Sequence, residues 1–303
     1  MMKFTKSVVV LLCFFSFIFS LSAQQVVDLW NKSDNIEKWK QSKLFVFLPE
    51  KENNSGVSVI ICPGGSYFWR DMNNEGFSVA RYLNNQGITA FVLHYRTARN
   101  KVHFPAMIQD LQQAMLHVKK NSEKYAVNPE KLGVMGFSAG GHLAGTAAEY
   151  FDVDFINNEE AFPESVKPYF AAMIYPVVSM EDSICHEKSR KNLLGSKYLP
   201  EIAKKMSLEQ NVRPDMPPVF LLHCMGDQTV DYRNSVVFSK ALKTENIKHK
   251  FLLLDEDGHW GHGFGIQPNG KATGWIDDFV EWVSDLNNHY SKNEGETLVD
   301  FDK

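Results

Sequence analysis

Apolar residues recur along this chain in two patterns, and each pattern predicts a different kind of element. Short apolar runs predict strands at 44–48, 57–62, 88–95, 132–135, 170–174, 219–223 and 250–254. Between them, apolar residues recur every three or four positions and predict helices at 75–85, 106–125, 141–150, 235–242 and 275–286. Strands that alternate with helices form βαβ units, so the pattern predicts an α/β fold with a mostly parallel central sheet and helices on both faces.

The first 23 residues do not follow this alternation. Lys3 and Lys6 precede an apolar run at 8–21, and the small residues Ser22 and Ala23 come next. This order is typical of a cleavable secretory signal peptide. A membrane anchor is the alternative, but a run of about 14 residues is shorter than the roughly 20 that a spanning helix needs. We therefore predict a secreted or periplasmic protein with a signal peptide at 1–23, one domain at 24–290 and a polar tail at 291–303.

Charge and cysteine content narrow the range of partners. The formal net charge is −4, and removal of residues 1–23 takes away two lysines and no acid, which leaves −6. A negative protein is a poor match for nucleic acid or an anionic membrane, so neither is expected as a partner. Three cysteines remain, Cys62, Cys185 and Cys224, which allow at most one disulfide. Cys62 and Cys224 end apolar runs and are predicted to be buried free thiols.

One short motif stands where a predicted strand meets a predicted helix. Residues 136–140 read Gly-Phe-Ser-Ala-Gly, between the strand at 132–135 and the helix at 141–150. In that context a G-x-S-x-G motif forms a nucleophile elbow, in which Ser138 is the candidate nucleophile. Gly136 and Gly140 leave room for the tight turn. The N–H of Ala139, at the helix start, is a candidate donor to the reacting carbonyl oxygen. Taken alone, the motif also fits an ordinary turn.

A second loop can supply another donor. Residues 62–67, CPGGSY, directly follow the strand at 57–62. The N–H of Gly65 or Ser66 is the candidate, because a second oxyanion donor in such enzymes comes from the loop after an upstream strand. A simple Pro-Gly-Gly turn is the alternative, and the position upstream of the elbow favours the donor. Three aromatic residues come next and are candidates for lining an acyl or sugar pocket: Tyr67, Phe68 and Trp69.

A carboxylate and a histidine complete the candidate set. Asp227 lies in HCMGD after the strand at 219–223, and Asp231 is an alternative that stands closer to the next helix. A serine hydrolase needs such a carboxylate to orient its histidine. His262 lies in GHGFG after the strand at 250–254, which gives the order Ser, Asp, His. His259 is the alternative base. A metal site in this loop is disfavoured, because its acidic residues and histidines do not have a recognised ligand spacing.

The four motifs CPGGSY, GFSAGGHLA, HCMGDQTV and GHGFG, in this order, resemble those of the α/β-hydrolase superfamily. Within it, residues 44–283 are similar to bacterial acetyl-xylan-esterase-like and feruloyl-esterase-like carbohydrate esterases. The resemblance implies a triad of Ser138, Asp227 and His262, backbone oxyanion donors at Gly65 and Ala139, no cofactor and no metal. Ser66 stands where a third glycine is more usual. The loop at 255–260 is longer than usual and contains the second histidine, so His259 stays open as the base.

The resulting hypothesis is a serine esterase that cleaves carboxylic esters, with acetyl esters of plant polysaccharide or oligosaccharide as the expected substrates. The segment at 176–218 exceeds the usual loop length and predicts a small cap over the site. Two alternatives stay open: a serine peptidase of the same fold, and a carbohydrate-binding protein with an inactive site. Apart from the ester substrate, no partner is expected, and the oligomeric state is open.

Overall fold

An eight-stranded sheet lies at the centre of the part of the chain that the computed structural model describes. The described residues are 25–30, 42–156, 166–255, 261–266 and 274–292. The predicted signal peptide, His259 and the chain after 292 lie outside them. The strands are β1 Gln25–Asp28, β2 Lys43–Phe47, β3 Ser58–Cys62, β4 Thr89–His94, β5 Leu132–Phe137, β6 Ala171–Ile174, β7 Val219–Cys224 and β8 His249–Leu254.

The strand order confirms the predicted α/β-hydrolase fold, with a mostly parallel sheet. The order is β1-β2-β4-β3-β5-β6-β7-β8, and only the β1/β2 and β2/β4 pairs are antiparallel. From β4 onward each neighbouring pair is parallel. The loops that follow β3, β5, β6, β7 and β8 therefore emerge at one edge of the sheet. Functional groups of open α/β sheets gather at this edge.

Helices cover both faces of the sheet. They are α1 Ser78–Asn85, α2 Ala106–Lys120, α3 Ser122–Tyr125, α4 Ala139–Glu149, α5 Glu187–Leu194, α6 Pro200–Lys205, α7 Arg233–Thr244 and α8 Trp275–Lys292. The predicted helix at 106–125 is interrupted at Asn121, whose side-chain amide donates to the His117 carbonyl oxygen at 2.7 Å. The predicted helix at 75–85 begins as a π-helical turn, Met72–Phe77, that leads into α1.

Alternation of side chains along the buried strands divides the core into two layers. In β3, Ile60 and Cys62 pack in one layer, and Val59 and Ile61 pack in the other. Apolar residues of α2, α4 and α7 belong to the first layer, and those of α1 and α8 belong to the second. Both faces of β3 and β5 are buried, which explains their continuous apolar runs. Cys62 and Cys224 are buried, as predicted, and neither forms a disulfide within the described residues.

The connection between β6 and β7 forms the predicted cap. It contains α5, α6 and a short 3₁₀ turn, Leu208–Gln210. Asn192 donates from its side-chain amide to the Ser66 carbonyl oxygen at 2.8 Å, which ties α5 to the loop after β3. The Met206 carbonyl oxygen lies 2.7 Å from His142 Nε2, which ties the end of α6 to α4. The cap is thereby fixed to the two segments that flank Ser138. None of the helices in the described residues combines the length and apolar character needed to cross a membrane.

A buried ion pair joins α2 to the chain after β4. The Asp110 carboxylate is fully buried and accepts hydrogen bonds from Arg96 Nε, from the Arg96 backbone N–H and from Trp30 Nε1, at 2.6–3.0 Å. The Arg96 guanidinium lies over the Trp30 ring, 5.1 Å from its centroid. The pair thus fixes the segment after β1, the chain after β4 and the first half of α2 to one another.

We expect Asp110→Ala to lower the free energy of unfolding by about 3–5 kcal/mol, because it leaves the Arg96 charge buried without its partner. Asp28→Ala is the control. The Asp28 carboxylate pairs with Lys43 at an exposed sheet edge, so its loss should cost less than about 1 kcal/mol. Urea unfolding of the two variants measures both values. Similar losses would show that the Asp110 pair has no special structural role.

Candidate active site

Ser138 lies at a strained turn between β5 and α4. Its backbone has φ 54° and ψ −120°, a conformation that costs free energy for a residue with a Cβ. Hydrogen bonds hold the turn from both sides: Ser138 N–H donates to the Ile174 carbonyl oxygen at 2.9 Å, and the Ser138 carbonyl accepts from Val177 N–H at 3.1 Å. The loop after β6 therefore supports the conformation that exposes the Ser138 hydroxyl to its neighbours.

The two glycines of the motif are required by close backbone contacts. A Cβ added to Gly136 would overlap the Gly140 carbonyl oxygen, and one added to Gly140 would overlap the Cys62 carbonyl oxygen. The first contact closes the turn around Ser138. The second brings the start of α4 against the end of β3. Backbone atoms cannot rotate away as a side chain can, so a methyl group at either position forces the turn apart.

The structure brings the three predicted residues into one chain of hydrogen bonds. His262 Nε2 lies 2.9 Å from Ser138 Oγ, and His262 Nδ1 lies 2.7 Å from Asp227 Oδ2. Gly261 permits this approach, since a Cβ there would lie 2.8 Å from the Asp227 backbone N and Cα. Asp231 is not part of the chain: its carboxylate accepts from the Arg233 backbone N–H at the start of α7 and pairs with the Arg233 side chain.

Asp227 is held as a carboxylate by its donors. Burial alone would raise its pKa, but hydrogen bonds from His223 and His262 outweigh that effect and lower the pKa to about 2. The other oxygen, Oδ1, accepts from the backbone N–H groups of Thr229 and Val230 at 2.8 and 3.0 Å. A charge fixed in this way can orient His262 and stabilise its protonated form.

The second histidine at Asp227 is His223, which the sequence patterns did not single out. Its Nε2 lies 3.0 Å from the Val230 carbonyl oxygen and 3.2 Å from Asp227 Oδ2. A carbonyl only accepts, so we assign the proton to Nε2, which donates to both oxygens. Ser235 Oγ lies 2.7 Å from Nδ1 on the other side. His223 is the fifth residue of the buried strand β7, and nothing in the apolar pattern distinguishes it from a strand residue.

The loop after β3 passes directly beside Ser138. A Cβ added to Gly64 would lie 2.9 Å from Ser138 Cβ. The next residues, Gly65 and Ser66, have positive φ values of 137° and 55°. Within the described part of the chain, their N–H groups donate to no acceptor. The N–H of Ala139 begins α4, where the first amides of a helix lack an intrahelical acceptor. Free amides thus lie on the two segments next to the Ser138 hydroxyl.

A third carboxylate, on Glu75, also lies at this site, and the sequence motifs did not indicate it. Glu75 Oε2 accepts from Gly64 N–H at 2.7 Å, and Oε1 accepts from the Tyr175 hydroxyl at 2.8 Å. Glu75 occurs in an amphipathic stretch, where an acidic residue reads as a solvent-exposed position, yet only 3% of its surface is exposed. Its burial arises because the connection between β3 and α1 folds back so that Glu75 meets Gly64, and because Tyr175, after β6, packs against it.

The prediction that Tyr67 lines an acyl or sugar pocket is wrong. Tyr67 is fully buried, and its hydroxyl lies 2.8 Å from His142 Nδ1, so it cannot line a pocket. Burial lowers the pKa of His142 to about 4, and this histidine accepts from the Tyr67 hydroxyl in its neutral form. Phe68 and Trp69 are 43% and 48% exposed. They remain available beside the loop of free amides.

A cavity of about 450 Å³ opens beside Asp227, between the cap and the loop after β7. Its lining is rich in polar side chains, which suits a hydroxyl-bearing ligand better than an acyl chain. The polar lining includes Ser183, His186, Gln228, Thr229, Asp231 and Arg233.

Comparison with known proteins shows that this chain is similar to carboxylic ester hydrolases and to a xylanase. The BD-FAE family model matches residues 44–242. An acetylxylan esterase of Xylanibacter ruminicola is 29% identical over 258 residues, and endo-1,4-beta-xylanase B of Butyrivibrio fibrisolvens is 30% identical over 234 residues. These matches cover 84% and 77% of this chain but 49% and 36% of the relatives. The chain therefore spans half or less of the length of these two proteins.

Two solved structures have a similar fold. The acetyl ester-xyloside bifunctional hydrolase from Caldicellulosiruptor lactoaceticus superimposes with a TM-score of 0.79 at 30% identity, over 87% of this chain and 97% of that one. A thermophilic esterase from Thermogutta terrifontis superimposes with a TM-score of 0.69 at 20% identity, over 92% of this chain and 98% of that one. The second likeness supports the fold alone.

We expect Gly136→Ala to destabilise the protein by more than about 3 kcal/mol, because the added methyl group meets backbone at the turn. Gly145→Ala is the matched control within α4. There the added Cβ meets the ends of the Leu208 and Met173 side chains, which can move, so the cost should be about 1–3 kcal/mol or less. Urea unfolding measures both variants. Equal costs would contradict the importance of the close backbone contact.

Proposed function

This chain belongs to the BD-FAE family and has the α/β-hydrolase fold, and from that premise we propose that it is a secreted serine esterase acting on acetylated plant polysaccharide or oligosaccharide. The observation that carries the proposal is the hydrogen-bonded series Ser138–His262–Asp227 beside a loop of free amides. Secretion rests on the pattern of residues 1–23, and we keep residues 24–290 as a single proposed domain.

In the proposed reaction, Ser138 Oγ attacks the ester carbonyl carbon. Its proton passes to His262 Nε2 across the 2.9 Å hydrogen bond. The Asp227 carboxylate, 2.7 Å from Nδ1, orients the ring and stabilises the imidazolium that forms. The carbonyl oxygen becomes negative at the same moment. The N–H groups of Ala139 and of Gly65 or Ser66 donate to it and lower the free energy of the tetrahedral intermediate.

The intermediate then loses the alcohol. His262 returns the proton to the leaving alkoxide oxygen, and the acyl group stays on Ser138 as an ester. Water attacks this acyl-enzyme, with His262 taking a proton from the water and giving it back to Ser138 Oγ. The products are an alcohol and a carboxylic acid. In these steps the chain's own side chains supply each proton donor and acceptor, so the proposal requires no cofactor and no metal.

The choice of substrate rests on two kinds of support. Two similar proteins are named for acetylxylan and for acetyl ester-xyloside hydrolysis. The polar cavity beside Asp227 and the exposed faces of Phe68 and Trp69 suit a sugar, whose hydroxyl groups form hydrogen bonds and whose ring packs on aromatic faces. A serine peptidase would use the same Ser138 on an amide bond, whereas an inactive carbohydrate-binding protein would not acylate Ser138 at all.

We expect the protein to release acetate from acetylated xylan and to cleave p-nitrophenyl acetate with a higher kcat/KM than p-nitrophenyl octanoate. Ser138→Ala should lower kcat by a factor on the order of 10⁴ or more without unfolding the protein, because the attacking oxygen is lost while the packing is kept. Acetate release, p-nitrophenol release and circular dichroism measure these outcomes. Peptide cleavage without ester cleavage would support the peptidase. A Ser138→Ala variant within tenfold of wild type would refute the serine mechanism.

Asp227→Asn should lower kcat by roughly 10⁴-fold, because the neutral amide no longer fixes the His262 tautomer that accepts the Ser138 proton. Asp231→Asn is the control, since Asp231 lies four residues away and pairs with Arg233 at the surface instead. Assayed on p-nitrophenyl acetate, which has no sugar to enter the cavity that Asp231 lines, its kcat should stay within about threefold of wild type, as expected when only an exposed ion pair is altered. Steady-state assays of both variants at one pH show which variant has the larger decrease in kcat. A larger loss in Asp231→Asn would overturn the choice of acid.

A further inference from the structure

The carboxylate of Glu75 is buried beside Ser138, yet no step of the proposed reaction uses it. Glu75 lies in the π-helical turn Met72–Phe77, which packs against the segments on both sides of the nucleophile. On one side, Asp71 N–H donates to the Gly64 carbonyl oxygen at 3.0 Å. On the other, Asn74 Nδ2 donates to the carbonyl oxygen of Gly263, the residue after His262, at 2.7 Å. The turn therefore bridges the loop of free amides and the loop of His262.

The Glu75 carboxylate forms the centre of this bridge. Its Oε2 accepts from Gly64 N–H, and its Oε1 accepts from the Tyr175 hydroxyl. The Tyr175 oxygen in turn accepts from Gly265 N–H at 3.2 Å. The Tyr175 ring packs against His262 and Phe264, with centroid distances of 4.6 and 4.7 Å. One carboxylate thus contacts the amide loop directly and the His262 loop through Tyr175.

The hydrogen bonds are satisfied when Glu75 is ionised. Gly64 N–H can only donate, and the Tyr175 oxygen already accepts from Gly265, so its own proton points to Oε1. The titratable groups that face Glu75 are Asp71, Tyr95, Tyr175 and His262. Burial raises the pKa of Glu75 to about 7, while the Tyr175 hydroxyl, His262 and the Gly64 amide oppose the rise and Asp71 adds to it.

We infer that Glu75 is a positioning residue for ester hydrolysis: its carboxylate fixes the amide loop and the His262 loop in register around Ser138. The inference rests on the proposed function. With Gly64 N–H bound to Glu75, the peptide groups of Gly65 and Ser66 are held next to Ser138 before substrate arrives. Donors fixed in advance need no reorganisation when the oxyanion forms, which is where most of their effect on rate arises.

The test compares Glu75→Gln, Glu75→Ala and Tyr175→Phe. We expect Glu75→Gln to lower kcat by at least about tenfold with little change in KM, because donors placed for the oxyanion act on the transition state. Glu75→Ala should lower kcat further than Glu75→Gln, because glutamine can still accept a hydrogen bond from Gly64 N–H and alanine cannot. Tyr175→Phe should also lower kcat, because it breaks the link to Gly265 while keeping the ring against His262.

The pH profile separates positioning from simple structural support. The acid limb of kcat/KM reports groups of the free enzyme. Burial raises the pKa of Glu75 to about 7, and glutamine does not titrate, so Glu75→Gln should lose the part of the acid limb that Glu75 contributes and the limb should move to lower pH. In Tyr175→Phe the charge remains and Glu75 loses a hydrogen bond that favours its ionised form. The acid limb of Tyr175→Phe should therefore move to higher pH.

Two matched controls measure the effect of altering buried side chains elsewhere. Glu149 is 2% exposed, and its carboxylate oxygens have no hydrogen-bond partner among the described residues. It ends α4, about 16 Å along the helix from Ser138. Tyr125 is 1% exposed, and its hydroxyl lies 2.9 Å from His117. Glu149→Gln and Tyr125→Phe should leave kcat and the acid limb unchanged, whatever they do to Tm.

The inference is overturned if kcat of Glu75→Gln stays within about twofold of wild type and its acid limb does not move. It is also overturned if the decrease in kcat is no larger than the fraction of the variant that is unfolded. If Glu75→Gln does not fold, Tyr175→Phe provides the test. A Tyr175→Phe variant with wild-type kcat, or with an acid limb that does not move to higher pH, then overturns the inference. Ser138→Ala distinguishes the two proposals. Turnover by Ser138→Ala defeats the proposed function itself. An inactive Ser138→Ala beside an unaffected Glu75→Gln defeats only the role of Glu75.

Discussion

The close backbone contact of β3, β5 and α4 is the constraint on which the rest of the site depends. Gly140 permits the start of α4 to lie against the Cys62 carbonyl at the end of β3, and Gly136 permits the turn to close. Because these contacts involve backbone on both sides, they leave no freedom of adjustment. They hold Ser138 in a strained conformation and set it beside the amides of the loop after β3. The strain is balanced by hydrogen bonds to the loop after β6.

Two buried carboxylates flank this turn, and their surroundings give them different properties. Asp227 receives four donors, including two histidines, so hydrogen bonding outweighs burial and its pKa falls to about 2. Glu75 receives two donors and has Asp71 nearby, so burial dominates and its pKa rises to about 7. Asp227 is therefore charged throughout the neutral range, whereas Glu75 titrates within it. The same side-chain chemistry can thus supply a constant charge at one position and a pH-dependent one at another.

The cap contributes by fixing loops and by forming the wall of a cavity. Asn192 and the Met206 carbonyl connect it to the amide loop and to α4, so it is an integral part of the site. Its first residues face the loop after β7 across a polar space next to Asp227. A ligand rich in hydroxyl groups would find donors and acceptors on both walls. In the proposed reaction, recognition of the alcohol and activation of Ser138 would then share one loop, at Asp227.

The sequence by itself determined the order of elements and the residues of the hydrogen-bonded series. Apolar runs marked the long buried strands, because strands covered on both faces must be apolar throughout. The motifs around Ser138, Asp227 and His262 identified the three side chains that the fold brings together. Strand β1 and the cap helices α5 and α6 were not predicted, since a short edge strand and polar helices lack a distinct period.

Only the tertiary structure decided how those residues are supported. Tyr67 follows a loop motif and looked accessible, but the approach of α4 buries it against His142. From the sequence, Glu75 is interpreted as a surface residue of a helix, and His223 as an ordinary strand residue. Periodicity shows which positions are apolar, but it does not show which polar groups contact one another. Their partners lie far along the chain: Glu75 binds Tyr175 across 100 residues, a contact that exists only once parallel strands bring their carboxyl ends to one edge. Local sequence therefore specified the residues of the hydrogen-bonded series, and long-range packing specified their environment.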